Sequence, residues 1–315
     1  MTTPVTAIHV LSEDLNPSSC RLIDRPQTLW VFGGPRHKVE EERLANPASL
    51  RDFFLAKVKE QFPPYKWAKG VTYPENFQDW YALSGYSDLH EFERDACFIA
   101  RGVIVFLESE GALAEIGALA IDESLAERVF LVLHEKYHRN ISYLWLGPIT
   151  RIKNSKGQIC VIGTEPNKKM DEVEYISIID HINDWDNSLD KGEIINHRNP
   201  GHVILLIADL INILLVSKDS DLLNIVPVFG IKIDQTQLRK YTSLLNFFDL
   251  ITIKERGTEV FYTFNRKNQK DWINYQAKRD KPGFDRIRIK AMRMEEIKKN
   301  ARQNSILEQV HGQIR

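Results

Sequence analysis

The sequence of 315 residues predicts an α/β fold in its N-terminal half, then a smaller domain of three helices and a hairpin, then a basic helical tail. Three observations support this division. In the first half, short apolar runs alternate with segments of helical periodicity. In the second half, three helical segments precede two short strands. At the C-terminal end, between residues 265 and 315, Lys and Arg number 14 against 6 Asp and Glu.

The apolar runs of the first half have the composition of strands that are buried on both faces. They span residues 28–32, 103–107 and 129–133. Such runs without polar alternation are typical of parallel strands covered by helices. Between them, Asp88 can cap a helix that begins at Leu89. The alternation of strands and helices therefore predicts a Rossmann-like parallel sheet with flanking helices, which we assign to residues 1–165.

The second half begins with a polar stretch, residues 166–199, which we predict to be a weakly structured connecting region. Three helical segments and a hairpin follow it, over residues 202–216, 219–226, 234–247 and 250–264. Three helices and a two-stranded wing describe a winged-helix domain. We assign this domain to residues 200–267 and the basic helical tail to residues 268–315.

The net charge of -1 conceals an uneven distribution of charge along the chain. Residues 265–315 carry +8, so the residues before them carry -9. A basic surface of this kind favours an acidic partner, with nucleic acid as the first candidate. In the winged-helix domain we predict that Arg239 and Lys240 on the third helix, and Lys254 and Arg256 in the wing, bind nucleic acid. Docking to a protein remains the alternative, since a fold does not fix a function.

No part of the sequence indicates secretion or insertion into a membrane. The N-terminus lacks the basic and apolar regions of a signal peptide, and the most apolar stretch, residues 203–216, is shorter than the roughly 20 residues of a membrane span. The three cysteines are widely spaced, which favours a reducing compartment. His134 and His138 lack the further ligands that a zinc site needs. We therefore expect a cytoplasmic protein that contacts no membrane and holds no metal or cofactor.

The predicted substrate site lies at the carboxyl ends of the parallel strands, where ligands bind in open sheets. Two segments would meet there, Phe32-Gly33-Gly34 and Glu108-Ser109-Glu110-Gly111. Glycines let a ligand approach the backbone, and free N–H groups at a helix start bind phosphate or ribose oxygens. The predicted substrate-binding residues are Phe32, Gly33, Gly34, Asp88, Glu108, Ser109 and Gly111. The alternatives are an ordinary turn at the glycine pair and, for Asp88, a role as helix cap alone.

Glu115 is the predicted catalytic residue. We place it in the first turn of the helix that follows the acidic segment, where a carboxylate has a short reach and a rigid support. Cleavage of an N-glycosidic bond develops positive charge on the sugar, and a carboxylate beneath the anomeric carbon stabilises this charge or captures the sugar covalently. The alternative is an ordinary solvated residue on an amphipathic helix.

The run VIVFLESEGALAEIGALA, which starts at Val103, resembles the corresponding motif of the nucleoside deoxyribosyltransferase-like superfamily. In that motif a strand, an acidic turn and a Glu-apolar-Gly sequence follow one another. The resemblance implies that Glu115 is the nucleophile and that Asp88 contacts the nucleoside. With a winged helix after such a domain, the chain also resembles the retron-associated effectors. These are toxins of phage defence that are held by a reverse transcriptase and its branched RNA–DNA product (msDNA).

These inferences together predict an N-glycosidase toxin. We expect it to cleave NAD, or as a second choice a deoxynucleotide, under the control of a retron reverse transcriptase and its msDNA. Two other functions remain open, a metabolic nucleoside deoxyribosyltransferase and a non-catalytic, nucleotide-sensing regulator that binds DNA. The chain could form a homo-oligomer or a filament, and the sequence does not indicate which oligomeric state it adopts.

Overall fold

The structure is a computed structural model that describes residues 6–61, 64–83, 85–138, 141–166, 168–189 and 192–312. The outer ends of the predicted first domain and of the predicted tail lie outside the described residues. The helices are α1 (Ala7–Glu13), α2 (Leu50–Gln61), α3 (Leu89–Ile99), α4 (Glu110–Leu119), α5 (Glu123–Ala126), α6 (Thr150–Asn154), α7 (Glu172–Ser188), α8 (Pro200–Leu214), α9 (Asp219–Ile225), α10 (Gln235–Phe247), α11 (Arg286–Lys298) and α12 (Ala301–Gly312). The strands are β1 (Arg21–Leu22), β2 (Leu29–Phe32), β3 (Val71–Thr72), β4 (Gly102–Phe106), β5 (Val129–His134), β6 (Gln158–Ile162), β7 (Glu193–Ile194), β8 (Val216–Lys218), β9 (Ile251–Arg256), β10 (Glu259–Phe264) and β11 (Ile273–Asn274).

The chain divides into two compact units. One, which we call the sheet unit, consists of Pro26–Gln78 and Glu93–Asp190. The other, which we call the hairpin unit, consists of Met1–Arg25, Asp79–Phe92 and Lys191–Arg315. Each unit is therefore discontinuous in sequence, and helix α3 has its first four residues in one unit and the rest in the other.

The sheet unit contains a five-stranded parallel sheet in the order β3-β2-β4-β5-β6. Every residue of β2, β4 and β5 is buried, as their unbroken apolar sequences predicted. Helices connect successive strands and pack their apolar faces on the sheet, with Phe53 and Phe54 of α2 among the largest buried side chains. The predicted parallel sheet with flanking helices is thus confirmed.

The prediction of weak structure after residue 165 was wrong for much of that stretch. Helix α7 occupies 17 of its residues and is capped by Asp171, whose side chain accepts a hydrogen bond from the backbone N–H of Glu174. Its buried face includes Ile178, Ile182 and Trp185, which join the core beneath the sheet. The helical spacing of these residues was obscured by the Asp and Asn residues between them, which face outward in a solvated helix.

The hairpin unit contains helices and a hairpin close to the predicted positions. Helix α8 is almost wholly buried, and α9, α10 and the hairpin β9–β10 follow it. Gly257 closes the hairpin with a positive φ of 62°. Strand β8, which the sequence analysis did not foresee, pairs antiparallel with β10 and completes a three-stranded sheet in the order β8-β10-β9.

Within the hairpin unit, buried polar contacts join helix α11, which follows the hairpin, to α8 and β8. Arg286, at the start of α11, forms an ion pair with the fully buried Asp209 of α8. Arg293 donates hydrogen bonds to the carbonyl of Leu214, the last residue of α8, and to that of Val216, the first residue of β8. Two of the basic residues counted in the tail therefore have structural partners. Among the described residues, none of the helices combines the length and the hydrophobicity needed to cross a bilayer.

Candidate active site

Helix α4 begins earlier than the sequence analysis assumed. Ser109 caps it, since its hydroxyl accepts a hydrogen bond from the backbone N–H of Ala112 at 3.1 Å. The first helical residue is Glu110, so Glu115 lies in the second turn and not in the first. The Ser109 hydroxyl also donates to the carbonyl of Gly33 at 3.1 Å, which fixes the start of α4 against the end of β2.

The carboxyl group of Glu115 lies in a low-dielectric environment. Its Oε2 atom is buried and has no hydrogen-bond partner. Burial raises the pKa of Glu115 to about 7, with a further increase from the negative charge of Glu93 and a decrease from the charge of Arg51. A carboxyl group in this state exchanges its proton near neutral pH, which is the range that general acid–base and nucleophilic catalysis require.

Glu93, on helix α3, is a second carboxyl group with the same property. Burial and the nearby charge of Glu75 raise the pKa of Glu93 to about 7. Helix α3 leads into β4 and helix α4 leaves it, so the N-terminal halves of both helices lie at the carboxyl edge of the sheet. The structure therefore brings Glu93 and Glu115 into one electrostatically coupled pair at that edge.

An ion pair between Arg51 and Glu75 completes this cluster. The guanidinium of Arg51 donates from NH1 and NH2 to the two carboxylate oxygens of Glu75, at 3.2 and 2.6 Å. The side chain of Arg51 is only 4% exposed, whereas that of Glu75 is 44% exposed. Glu75 follows the short strand β3 and Arg51 lies in the first turn of α2, so both come from the carboxyl edge of the sheet. Three carboxyl groups and one guanidinium thus interact at this edge.

Glu108, a predicted substrate-binding residue, is engaged by the backbone. Its Oε1 atom accepts hydrogen bonds from the N–H groups of Gly34 at 3.0 Å and Arg51 at 2.9 Å, and its Oε2 atom accepts from Leu50 at 2.7 Å. Burial raises the pKa of Glu108, and these three N–H groups oppose the increase. Glu108 therefore caps helix α2 from a distant part of the chain and ties it to the turn after β2.

The glycine pair after β2 is surrounded by side chains of the protein itself. A Cβ atom on Gly33 would meet the Cβ of Arg51 at 2.9 Å, and one on Gly34 would meet the Cβ of Ser49 at 2.6 Å. Phe32, just before them, is buried and stacks on Trp30 with ring centroids 6.2 Å apart. Gly111, by contrast, is exposed at the start of α4. At Gly33 and Gly34 the absent side chains make room for α2 and the loop before it.

Asp88 occupies the capping position that the sequence predicted. Its Oδ1 atom accepts a hydrogen bond from the N–H of Glu91 at 2.8 Å, and this bond holds the pKa of Asp88 below its usual range. Asp88 belongs to the hairpin unit and Glu115 to the sheet unit, so the structure does not bring them together within one unit. The two histidines also have local partners, since His134 bonds to the carbonyl of Gly163 and His138 packs on Trp145.

The predicted nucleic-acid-binding residues differ in how accessible they are. Arg239 is half exposed and pairs with Asp219 at 3.1 Å, and Arg256 is exposed in the hairpin turn beside the less exposed Lys254. Lys240 is only 12% exposed, because its ammonium pairs with Glu91. In this conformation the Lys240 side chain is an internal contact of the hairpin unit and offers no ammonium to a phosphate.

Arg51, Glu75 and Glu93 were not among the residues predicted from the sequence. For Glu93 a signal existed, because the helix that enters β4 and the helix that leaves it both begin at the carboxyl edge of the sheet, and Glu93 and Glu115 lie near the middle of these two helices. Arg51 and Glu75 are far from Glu115 in sequence and gave no such signal. Only the parallel order of β2, β3 and β4 brings them to one edge.

The chain matches the family model described as STM3845 retron effector protein over residues 47–253, about two thirds of its length. The matched segment includes all the residues of the carboxyl cluster, namely Arg51, Glu75, Glu93 and Glu115. It also extends through α10 into β9. No curated protein matches the chain.

Proposed function

The chain belongs to the STM3845 retron effector protein family, and from this premise we propose that it is an effector of anti-phage defence that hydrolyses the N-glycosidic bond of NAD or a related nucleotide. The observation that supports the proposal is the pair of partly buried carboxyl groups, Glu93 and Glu115, whose pKa values are both raised to about 7 at the carboxyl edge of a parallel sheet. Pairs of carboxyl groups are the catalytic groups of most enzymes that cleave glycosidic bonds.

In the proposed reaction Glu115 is the nucleophile. Its carboxylate attacks the anomeric carbon of the ribose, the bond from this carbon to the base nitrogen breaks with its electron pair leaving on the nitrogen, and a glycosyl ester forms. Water then attacks the same carbon and gives its proton to Glu93, which releases the sugar and restores Glu115. Arg51 moderates the charge of the pair and so keeps Glu115 ionisable near neutral pH.

The cluster favours NAD over a neutral nucleoside as the substrate. Three carboxyl groups stand beside one guanidinium, so the site carries an excess of negative potential, which attracts the positively charged nicotinamide ring. Nicotinamide also leaves as a neutral molecule without receiving a proton. A purine or pyrimidine base needs a proton on leaving, and Glu93 in its protonated form would supply it.

The proposal is tested by measuring release of free base from NAD and from deoxynucleotides by the purified full-length chain. Glu115→Gln keeps the size of the side chain and removes its charge, so the rate should fall by a factor of about 100 or more. Glu110→Gln is the matched control, because Glu110 is an exposed glutamate on the same helix. Full turnover by a folded Glu115→Gln protein would contradict the assignment.

The same assay distinguishes a metabolic transferase. A deoxyribosyltransferase would move the deoxyribosyl group to an added free base faster than to water, whereas the proposed effector should produce the hydrolysed sugar phosphate at the same rate with or without the added base.

We further propose that the hairpin unit holds a winged-helix domain through which the reverse transcriptase and its msDNA control the enzyme. The support is the order of its elements, since helix α8, strand β8, helices α9 and α10 and the hairpin β9–β10 follow the arrangement of that fold. Regulation fits the family, because an effector of a retron system acts together with the other components of that system.

A further inference from the structure

The segment Asp79–Phe92 lies between two carboxylates of the candidate site. The chain leaves the sheet unit after Gln78 and returns to it at Glu93, and in between it belongs to the hairpin unit. Glu75 lies four residues before this segment begins, and Glu93 is the first residue after it ends. The pKa of Glu93 is raised in part by the charge of Glu75, so the two ends of the segment emerge at interacting site residues.

Within the hairpin unit, Lys240 of helix α10 holds the end of this segment. Its ammonium pairs with Glu91 in the first turn of α3 and lies 4.7 Å from the ring centroid of Tyr86. This contact holds the pKa of Glu91 below its usual range. Gly85 has a φ of 89°, and a Cβ there would meet the Cβ of Lys240 at 2.9 Å, so the segment approaches α10 closely.

Phe92 provides a second anchor next to the ion pair. It is fully buried and contacts Phe247 edge-on and Phe248 face-on, with ring centroids 5.7 and 6.3 Å apart. Phe247 is the last residue of α10, so both anchors attach the first turn of α3 to the same helix. The next residue along α3 is Glu93. A helix turn transmits displacement at one residue to its neighbour, because its hydrogen bonds join successive turns.

We propose that Lys240 is a positioning residue for Glu93, and that it acts through the first turn of α3 at the end of the segment Asp79–Phe92. Loss of the contact between Lys240 and Glu91 releases the first turn of α3, and Glu93 then loses the placement that its function in proton transfer requires. This inference rests on the proposed function, because Glu93 has a rate to control only if the chain is a hydrolase.

The test compares Lys240→Met with Lys218→Met in the full-length chain. Methionine keeps the length and packing of the lysine stem and removes the ammonium. Lys218 is the matched control, since it also pairs with a glutamate, Glu259, and lies over an aromatic ring, that of Phe261 at 5.0 Å. We expect Lys240→Met to lower kcat about tenfold with little change in KM, because small displacements of a catalytic group are costly. Lys218→Met should leave both constants unchanged.

Two further readouts separate positioning from general damage. The limb of the pH–rate profile that Glu93→Gln abolishes should shift toward lower pH in Lys240→Met, because a released Glu93 is better solvated. The charge exchange Lys240→Glu with Glu91→Lys should restore kcat to within about threefold of the original, whereas each single change should not.

Amide hydrogen exchange keeps the inference testable even without activity. Exchange over residues 89–99 should accelerate in Lys240→Met, remain normal in Lys218→Met and return to normal in the charge exchange. A chain that hydrolyses none of the substrates would overturn the proposed function alone. Unchanged exchange over these residues, or an active Lys240→Met protein with an unaltered kcat and pH profile, would overturn the inference.

Discussion

At the scale of single residues, the behaviour of Glu115 and Glu93 follows from burial. An ionised carboxylate in an apolar environment loses hydration that the protein does not replace, and the Oε2 atom of Glu115 has no hydrogen-bond donor to compensate for this loss. The negative charge of Glu93 further raises the pKa of Glu115, and the negative charge of Glu75 raises the pKa of Glu93. Burial and repulsion together keep both protons near the point of release at neutral pH.

The shape of the pH–rate profile should depend on the substrate. With NAD, both Glu115 and Glu93 act as carboxylates, so kcat/KM should rise from about pH 5 through the pKa values near 7 and level off only above about pH 8. With a deoxynucleotide, Glu93 must be protonated while Glu115 is ionised, so the profile should be bell-shaped. Steady-state rates between pH 5 and 9 on both substrates give the answer. A profile without a limb near pH 7 would exclude these two residues as the titrating groups.

Replacing Glu75 should move the limbs of these profiles. Its negative charge raises the pKa of both Glu93 and Glu115, so Glu75→Gln should lower both values and shift each limb toward lower pH. Glu40→Gln is a suitable control, because Glu40 is also an exposed glutamate paired with a basic residue, Lys59, in the same unit. Profiles that coincide for all three proteins would refute the electrostatic coupling.

The raised pKa of Glu115 also has a consequence for stability. Its pKa is about 7 in the folded state and near 4.5 in the unfolded state, so the folded state holds the extra proton between these values. Stability therefore decreases as the pH rises from about 4.5 to about 7, and Glu115→Gln escapes this loss. Urea unfolding should show the variant more stable by roughly 1–3 kcal/mol at pH 8, and the difference should disappear near pH 4.5. A less stable variant at pH 8 would contradict the burial of an ionised group.

At the scale of elements, the turn between β2 and α2 depends on Glu108 and on two glycines. Glu108 provides acceptors for the N–H groups at the start of α2, and Gly34 leaves the space that Ser49 fills. The sequence indicated that a helix start and a glycine turn would meet at the sheet edge. It did not indicate that side chains of the protein itself would fill this space, since the contacting residues lie between 15 and 74 positions apart.

Two glycine substitutions should therefore have opposite effects. Gly34→Ala places a Cβ 2.6 Å from the Cβ of Ser49, and the resulting crowding should destabilise the protein by about 1–3 kcal/mol. Gly117→Ala, in the middle of α4, meets no atom within 4 Å and should stabilise it by up to about 1 kcal/mol, as alanine is the better helix former. Urea unfolding measures both changes. Equal effects of the two substitutions would show that packing at the turn is not the determining factor.

Sequence patterns were most informative for elements that are uniform along their length. Strand β4 could be predicted because all of its residues are buried, and the cap of α3 because Asp88 directly precedes it. Helix α7 could not, since the few apolar residues that it buries are separated by polar ones. The length of β8, three residues, is too short for any periodicity to be detected.

At the scale of the whole molecule, the order of segments along the chain does not show which segments belong to which of the two units. Because residues 79–92 lie between β3 and β4 in the sequence, continuity along the chain assigns them to the same domain as Glu115. In the structure they belong to the hairpin unit, where Glu91 and Phe92 contact α10. Helical periodicity indicates which face of α3 is buried, but it does not indicate which other element of the chain packs against that face. The same limit explains Lys240, whose position on a polar helix face indicated exposure until its pairing with Glu91 was known.

The proposed binding of nucleic acid depends on which cationic side chains of the hairpin unit are exposed and unengaged enough to contact phosphates. Lys240 is engaged by Glu91, and Arg239 is paired with Asp219. The end of β9 is therefore the better candidate for phosphate contacts, with Lys254 partly exposed and Arg256 exposed. Each contact with a duplex phosphate releases counterions and contributes about 0.9 to the slope of log affinity against log salt. Replacing Lys254 and Arg256 with Ala should therefore lower that slope by up to about 1.8 on branched RNA–DNA, while hydrolysis by the free chain stays intact.

The matched control for this experiment is Lys299→Ala, which removes an exposed cation from the end of α11 without altering the hairpin. Since it leaves both proposed contacts in place, its slope should equal that of the original protein. An affinity that is flat with salt, or a hairpin variant with an unchanged slope, would show that this surface does not bind phosphates. The domain would then dock a protein, and the reverse transcriptase should co-purify with the chain after its nucleic acid has been digested away.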